Sequence, residues 1–273
     1  MAKKGGRLPA HVKLLSRGFS LRHRLARLTR LPLIGAAMDR ALFAGDEMYL
    51  LPRETSVPMD RDLGSFSSVV LPSQLVAHFI DRAEHLFIMD FCICRMSAGC
   101  TDYPRDLGCL FLGEAAAHIS PSLGRAATRE EAHEHVRRCR EAGLVHLVGR
   151  NRLDAVWLGT GQPDRLMTVC SCCPCCCLWM MLPSLAPAIG DRITGVPGVR
   201  VFVTDSCTGC GVCMAGACFV GALSMKGGVA AISDACRACG RCVEACPEGA
   251  IRITVAPGAF DSAIASIERT VAL

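Results

Sequence analysis

Apolar positions along this chain recur with recognisable periods, and each period marks an element. Leu21, Leu25 and Leu28 fall at i, i+4 and i+7 among Arg22, Arg24, Arg27 and Arg30, so residues 8–30 predict a short basic amphipathic helix. Pro32 and Pro52 bracket a second short helix expected over Leu33–Phe43. Leu75, Phe79 and Ala83 give residues 73–85 a helical stripe, with Ser73 placed to cap its start, and the apolar run Leu86–Met89 follows. Thr128 and Glu131 have the spacing of a capping box, opening a helix that runs to about Ala142 and stops at Gly143. Val145–Val148 and Ala155–Leu158 flank Gly149-Arg-Asn-Arg and predict a β-hairpin. Further on, Asp191–Pro197 predicts a linker, and Lys226-Gly227-Gly228 a turn between two short strands. Phe260, Ile264 and Ile267 mark a terminal helix over residues 260–271.

Together these elements predict an α+β fold. A basic amphipathic segment (1–48) leads into a helical and β-hairpin cysteine-rich domain (49–190), then a small C-terminal unit (195–256) and a last helix (257–273). With only two Trp, two Tyr and ten Phe, cores must rest on aliphatic side chains. Residues 166–190 carry no charge, which by hydropathy alone would nominate a membrane span, but Pro174, Pro183 and Pro187 would break that helix repeatedly.

Charge changes the picture at one end. The net charge is +5, yet residues 1–40 hold ten Lys/Arg against Asp39, leaving the body mildly acidic. A basic helix with a leucine stripe suits a surface helix packed on its own domain, an acidic partner surface or an anionic membrane face. Nucleic acid is not expected, because no aromatic residues interleave the basic ones and the remaining chain is acidic.

Nineteen cysteines change it most. No compact apolar leader with a cleavage site is legible near Met1, and the cysteines cluster at ligand spacings, so a reducing, anaerobic cytoplasm is expected rather than a disulfide framework. In the first half stand Cys92, Cys94, Cys100, Cys109 and Cys139, followed by Cys170, Cys172, Cys173, Cys175, Cys176 and Cys177, six thiols in eight residues. The sequence nominates Cys92, Cys94, Cys100, Cys109, Cys170, Cys172, Cys173, Cys175 and Cys176 as ligands of at least one further iron–sulfur cluster. The sulfurs of Cys94 and Cys172 are expected roughly 4 to 7 Å apart, given metal–thiolate bonds of about 2.3 Å. Arg95, beside Cys94, would favour the reduced, more negative state of such a cluster. A structural zinc or a set of redox thiols is the alternative. His133, His135 and His146 read as ordinary surface histidines.

The second half has Cys207, Cys210, Cys213 and Cys218, then Cys236, Cys239, Cys242 and Cys246-Pro247. The latter four have the C-x2-C-x2-C-x3-C-P spacing, and this stretch, about residues 199–255, resembles the bacterial two-cluster ferredoxins. The resemblance implies two 4Fe–4S clusters with crossed ligation. Cys207, Cys210, Cys213 and Cys246 would hold one, and Cys236, Cys239, Cys242 and Cys218 the other. Two departures fall in the first half: four residues separate Cys213 from Cys218, and Phe219 stands where proline is usual. Zinc ribbons also use paired cysteines, but eight in this order favour iron–sulfur clusters. The cysteine-rich domain is loosely similar to those fused to ferredoxin modules in uncharacterised iron–sulfur proteins of anaerobes.

No Ser-His-Asp set, phosphate loop or nucleotide fingerprint is legible. The expectation is therefore an electron-transfer protein, a component of a larger oxidoreductase complex with a redox partner protein rather than a catalyst alone. A redox enzyme whose open-site cluster reduces a small thiol or disulfide substrate is the alternative.

Overall fold

Alternation along the strands decides how most of the chain is layered. In the computed structural model, residues 9–57, 71–216 and 218–273 are described; residues 1–8 of the basic segment lie outside them. Strands β1 (Glu47–Leu50), β2 (Leu86–Met89), β3 (Leu110–Leu112), β4 (Gly124–Ala126), β5 (Val145–Arg150), β6 (Met167–Cys172) and β7 (Ile193–Gly195) form one sheet. Their order is β4-β2-β3-β6-β5-β1-β7, and every neighbouring pair is antiparallel except β1 and β7. Successive side chains on a strand point to opposite faces. Tyr49, Ile88, Leu110, Leu112, Val148 and Val169 thus pack on one face, while Met48, Leu50, Phe87, Phe111, Leu147 and Cys172 pack on the other. Gly149 makes the β1–β5 pairing possible. It sits at φ +142°, and a Cβ there would lie 2.1 Å from the carbonyl oxygen of Glu47.

The helices, in chain order, are α1 (Ala10–Gly18), α2 (Arg22–Leu28), α3 (Pro32–Met38), α4 (Pro72–Arg82), α5 (Ile93–Ser97), α6 (Arg129–Glu141), α7 (Arg152–Leu158), α8 (Pro187–Gly190), α9 (Arg241–Ala245) and α10 (Ala259–Thr270). Helices α4, α6 and α10 cover the first face of the sheet, burying Leu75, Phe79, Val136, Phe260 and Ile267 together. Helices α1, α2 and α7, with a 3-10 stretch over Leu178–Ser184, cover the second through Val12, Ala26, Leu158 and Trp179. Downstream, β8 (Val199–Val203) pairs with β11 (Ile251–Val255), and β9 (Leu223–Lys226) with β10 (Val229–Ile232), each antiparallel. Helices and strands are mixed throughout, as an α+β class requires.

Several sequence expectations hold at residue level. The α6 capping box forms in both directions, Glu131 N–H to Thr128 Oγ1 at 3.2 Å and Thr128 N–H to Glu131 Oε2 at 2.9 Å. Helix α3 continues as a π-helical turn to Phe43, so residues 33–43 are helical as expected, and β1 follows before Pro52. Lys226-Gly227-Gly228 is the turn between β9 and β10, and α10 is the terminal helix. Among the described residues no helix is long and apolar enough to cross a membrane; residues 166–190 form β6, a turn and the 3-10 stretch broken by Pro183.

Four expectations do not hold. Residues 155–158 are helical, because the Asn151 side chain caps α7 by accepting from Leu153 N–H at 3.1 Å, and β5 pairs instead with β1 and β6. Residues 193–195 are strand β7 at the sheet edge, with Met48 opposite Ile193, rather than part of a linker. His135 and His146 are buried; His135 Nε2 bonds the carbonyl of Gly108 at 2.9 Å, and only His133 lies at the surface, bonded to Asp81. Ser73 does not cap α4. Its hydroxyl bonds Glu54 at 2.5 Å, while the Gln74 side chain accepts from Leu71 N–H.

Candidate metal centres

The C-terminal cysteine loops are shaped by backbone rather than side chains. Cys207, Cys210, Cys213 and Cys246 line one narrow cavity together with Gly209, Gly211 and Ala230. Gly209 has φ +72°, and a Cβ there would fall 1.9 Å from the carbonyl of Gly228, so only glycine lets the first loop reach the β9–β10 turn. Cys218, Cys236, Cys239 and Cys242 form a second group of mutual neighbours. Backbone amides aim at sulfur in both groups: Ala230 to Cys207 at 3.5 Å, Ala222 to Cys218 at 3.2 Å and Ala238 to Cys236 at 3.4 Å. Burial pushes Cys239 up to about 11 and Cys242 up to about 12. Thiols held this way would trade protons for metal, and amide donors around thiolates are what an iron–sulfur cluster needs.

The N-terminal cysteines sort into two groups, and β6 does the sorting. A spacing of two along a strand puts Cys170 and Cys172 on one face of the sheet. On that face Cys109, leading into β3, meets Cys170 with sulfurs 3.8 Å apart. Cys92 immediately precedes α5, Cys94 lies in its first turn, and Cys177 opens the 3-10 stretch and accepts from Trp179 N–H at 3.4 Å. The six thiols close a ring. Cys109 bonds Cys170, Cys172 neighbours both Cys170 and Cys177, and Cys94 neighbours Cys92 and Cys177, while Cys92 lies beside Cys109. The hydrogen bonds from Cys170 and Cys177 hold Cys172 well below the usual thiol range, aided by the charges of Arg241 and Arg95. A hydrogen bond from Cys94 lowers Cys92 to about 7.

The other group is Cys100, Cys173, Cys175 and Cys176, whose sulfurs all lie within 4.8 Å of one another. Cys139 is buried beside it and bonds no member; burial raises its thiol to about 11, and it approaches His135 at 3.7 Å. Between the two groups stands Arg95, fully buried, donating to the carbonyls of Pro104 and Ser171 at 2.7 Å and to that of Leu107. Cys92 and Cys109 of one group and Cys173 of the other are its charge neighbours.

The six-thiol ring touches both the ferredoxin-type loops and a cleft. Arg241, between Cys239 and Cys242, donates to the carbonyl of Cys172 at 2.6 Å. Phe219, Val220 and Ala222 share a core with Cys172 and Trp179. Arg53 N–H and the Ser56 hydroxyl bond the carbonyls of Cys239 and Gly240 at 3.0 and 3.1 Å. A cleft of about 1060 Å³, walled by α1, α2, α7 and the 3-10 stretch, also opens onto the ring. Its one buried acid, Asp154, is raised by burial and accepts from Asn151, Trp157 and Thr168 at 2.7 to 2.9 Å.

A family described as a 4Fe-4S binding domain matches residues 230–252, the segment carrying Cys236, Cys239, Cys242 and Cys246. No curated protein and no solved structure matches the chain. The matched segment and the wealth of cysteines place the chain with proteins of iron–sulfur electron transfer, with at least one 4Fe–4S cluster.

Sequence reading nominated nine N-terminal cysteines as a single pool. It missed Cys177, a ring member visible only as the last of the six-cysteine run, and Arg241, whose place between two ligand cysteines was the available signal.

Proposed function

We propose that this protein relays electrons between a two-cluster ferredoxin-type unit and a further iron–sulfur centre held by the ring of Cys92, Cys94, Cys109, Cys170, Cys172 and Cys177. Cys207, Cys210, Cys213 and Cys246 would hold one 4Fe–4S cluster, and Cys236, Cys239, Cys242 and Cys218 the other. When bound, these groups supply one-electron redox chemistry. The chain's own part is to bring thiolates together, shield them from water and offset their charge with amide donors, Arg95 and Arg241.

The observation that carries the reading is the hydrogen bond from Arg241 to the Cys172 carbonyl, which joins a ferredoxin-type loop to the thiol ring without intervening solvent. The test is iron and sulfide quantification on anaerobically purified full-length protein, with EPR during a redox titration. More than about eight irons per chain and more than two titrating signals are expected, since two cubes account for eight. Zinc in place of iron, with no charge-transfer absorbance, would end the reading.

The redox partner would dock on the basic N-terminal helices, whose Leu21 and Leu28 are 46% and 39% exposed, in a reducing cytoplasm where free thiols persist. An acidic protein surface or an anionic membrane face would suit them. One observation favours a second reading: the cleft that opens onto the ring has the size of a small-molecule site. In that reading a small disulfide takes up two electrons and two protons there and leaves as two thiols. Substrate-dependent change in an EPR signal distinguishes it from a pure relay.

A further inference from the structure

We propose that Cys100, Cys173, Cys175 and Cys176 form a separate mononuclear site that takes a single thiophilic ion, Zn²⁺ or Fe²⁺, and is no part of the electron-carrying ring. The inference goes beyond the relay and stands whether or not the relay does.

The spacing of the sulfurs is the first ground. A tetrahedral ion with metal–sulfur bonds of about 2.3 Å has sulfur–sulfur edges of about 3.8 Å. Cys100 and Cys175 are 3.7 Å apart, Cys175 and Cys176 are 3.5 Å apart, and all four lie within 4.8 Å of one another. One ion fits between sulfurs this close, whereas a cube of four irons and four sulfides, ligated at its corners, must hold its thiolates farther apart.

Separation is the second ground. Cys172 and Cys173 are adjacent in sequence, but Cys172 ends β6 on the face occupied by Trp179, and Cys173 enters a different core with Leu107, Cys139 and Leu144. Cys173, Cys175 and Cys176 come from the turn around Pro174, and Cys100 comes from the loop that follows α5. Backbone amides of Tyr103 and Asp102 lie close to the Cys100 sulfur. With Arg95 beside Cys173, they offset the negative charge that four thiolates leave on a divalent ion.

Such an ion would tie the 100–109 loop to the end of β6. Arg95 makes the same connection through the carbonyls of Pro104, Leu107 and Ser171. Cys109 is the last residue of that loop and a member of the ring. The ion is therefore a positioning element for the ring rather than one of its stations. Cys175, the exposed ligand, gives it an entry path from solvent.

X-ray absorption and Mössbauer spectroscopy on the anaerobically purified full-length protein test this directly. The expected result is either a zinc edge with four sulfurs at about 2.3 Å, or a mononuclear high-spin ferrous tetrathiolate alongside the cluster iron. The first outcome identifies the ion as zinc, the second as iron. The double variant Cys175→Ser/Cys176→Ser should lose about one metal equivalent per chain while sulfide content and cluster EPR are retained. The proposal is overturned if wild-type protein holds neither zinc nor mononuclear iron, if a folded variant keeps its full metal content, or if the variant loses iron and sulfide together in cluster proportion. If the variant does not fold, the wild-type spectra decide alone.

Discussion

The guanidinium of Arg241 reaches out of the ferredoxin-type loop and donates to the main-chain carbonyl of Cys172 at 2.6 Å. Two cysteine systems that are 64 residues apart in sequence, counting Cys172 to Cys236, thereby share one hydrogen bond. The same charge helps hold the Cys172 thiol low.

Replacing Arg241 with Gln should cost about 1–3 kcal/mol, the penalty for a buried polar group left poorly paired. It should also make the centre beside it harder to reduce, since a compensating positive charge is gone. Arg241→Lys keeps the charge and separates the two effects. Chemical denaturation and a redox titration read them independently. An unchanged titration in Arg241→Gln would show that this charge does not tune the centre.

Arg95→Met should be harsher. It strands the carbonyls of Pro104, Leu107 and Ser171 and removes the cation shared by both N-terminal thiol groups. A loss of roughly 3–5 kcal/mol is expected, as when one partner of a buried charge network is deleted. Metal bound by the first half of the chain should fall while the ferredoxin-type signals persist. Full N-terminal metal content in Arg95→Met would contradict this.

Asp46 gives a pH signature away from the thiols. Burial raises its carboxyl to about 7, with Asp154 adding to the rise and the Arg152 amide, Arg192 and Arg150 opposing it. The folded state therefore holds a proton that the unfolded chain releases near pH 4. Its stabilising contribution is fully present below that point and is lost as pH rises through about 7. Asp46→Asn should remove this slope and gain on the order of 4 kcal/mol relative to wild type at pH 8 but only about 1.5 kcal/mol near pH 5, the difference vanishing only below about pH 4. Paired denaturation curves at the two pH values check the sign.

Deleting residues 1–30 would confuse docking with folding. Val12 and Ala26 are core residues, and Arg30 holds the carbonyls of Pro183, Ser184 and Leu185 at 2.8 to 3.2 Å. Leu21→Glu/Leu28→Glu touches only exposed positions and should change stability by less than about 0.5 kcal/mol. Association with an acidic partner or anionic vesicles should fall. Retained association at high salt would remove these leucines from the docking surface.

How much the sequence disclosed depended on the range of the signal. The α6 capping box, the glycine turn at residues 226–228 and the terminal helix were legible because their determinants are local. Strand β7 was not, since Ile193–Gly195 is too short to announce itself and is a strand only because β1 lies beside it. Residues 155–158 carry β-compatible side chains, but a cap at Asn151 and Gly159 in the left-handed region turned them into a helix. The cysteines were visible as ligands, while their division was not. Whether Cys172 and Cys173 serve one centre or two is decided by where β6 ends, a tertiary fact.

The order of synthesis has a consequence for maturation. Helix α10 seals the first face of the sheet with Phe260, Ala263 and Ile267, and Ser266 bonds Tyr49 at 3.1 Å. It leaves the ribosome after every cysteine loop, since it follows Cys246 in the chain. A nascent chain therefore presents all nineteen thiols while the sheet's first face still lacks its final cover. Iron–sulfur delivery factors would then meet an open protein, and a chaperone that shields this face until release would lengthen the interval for loading.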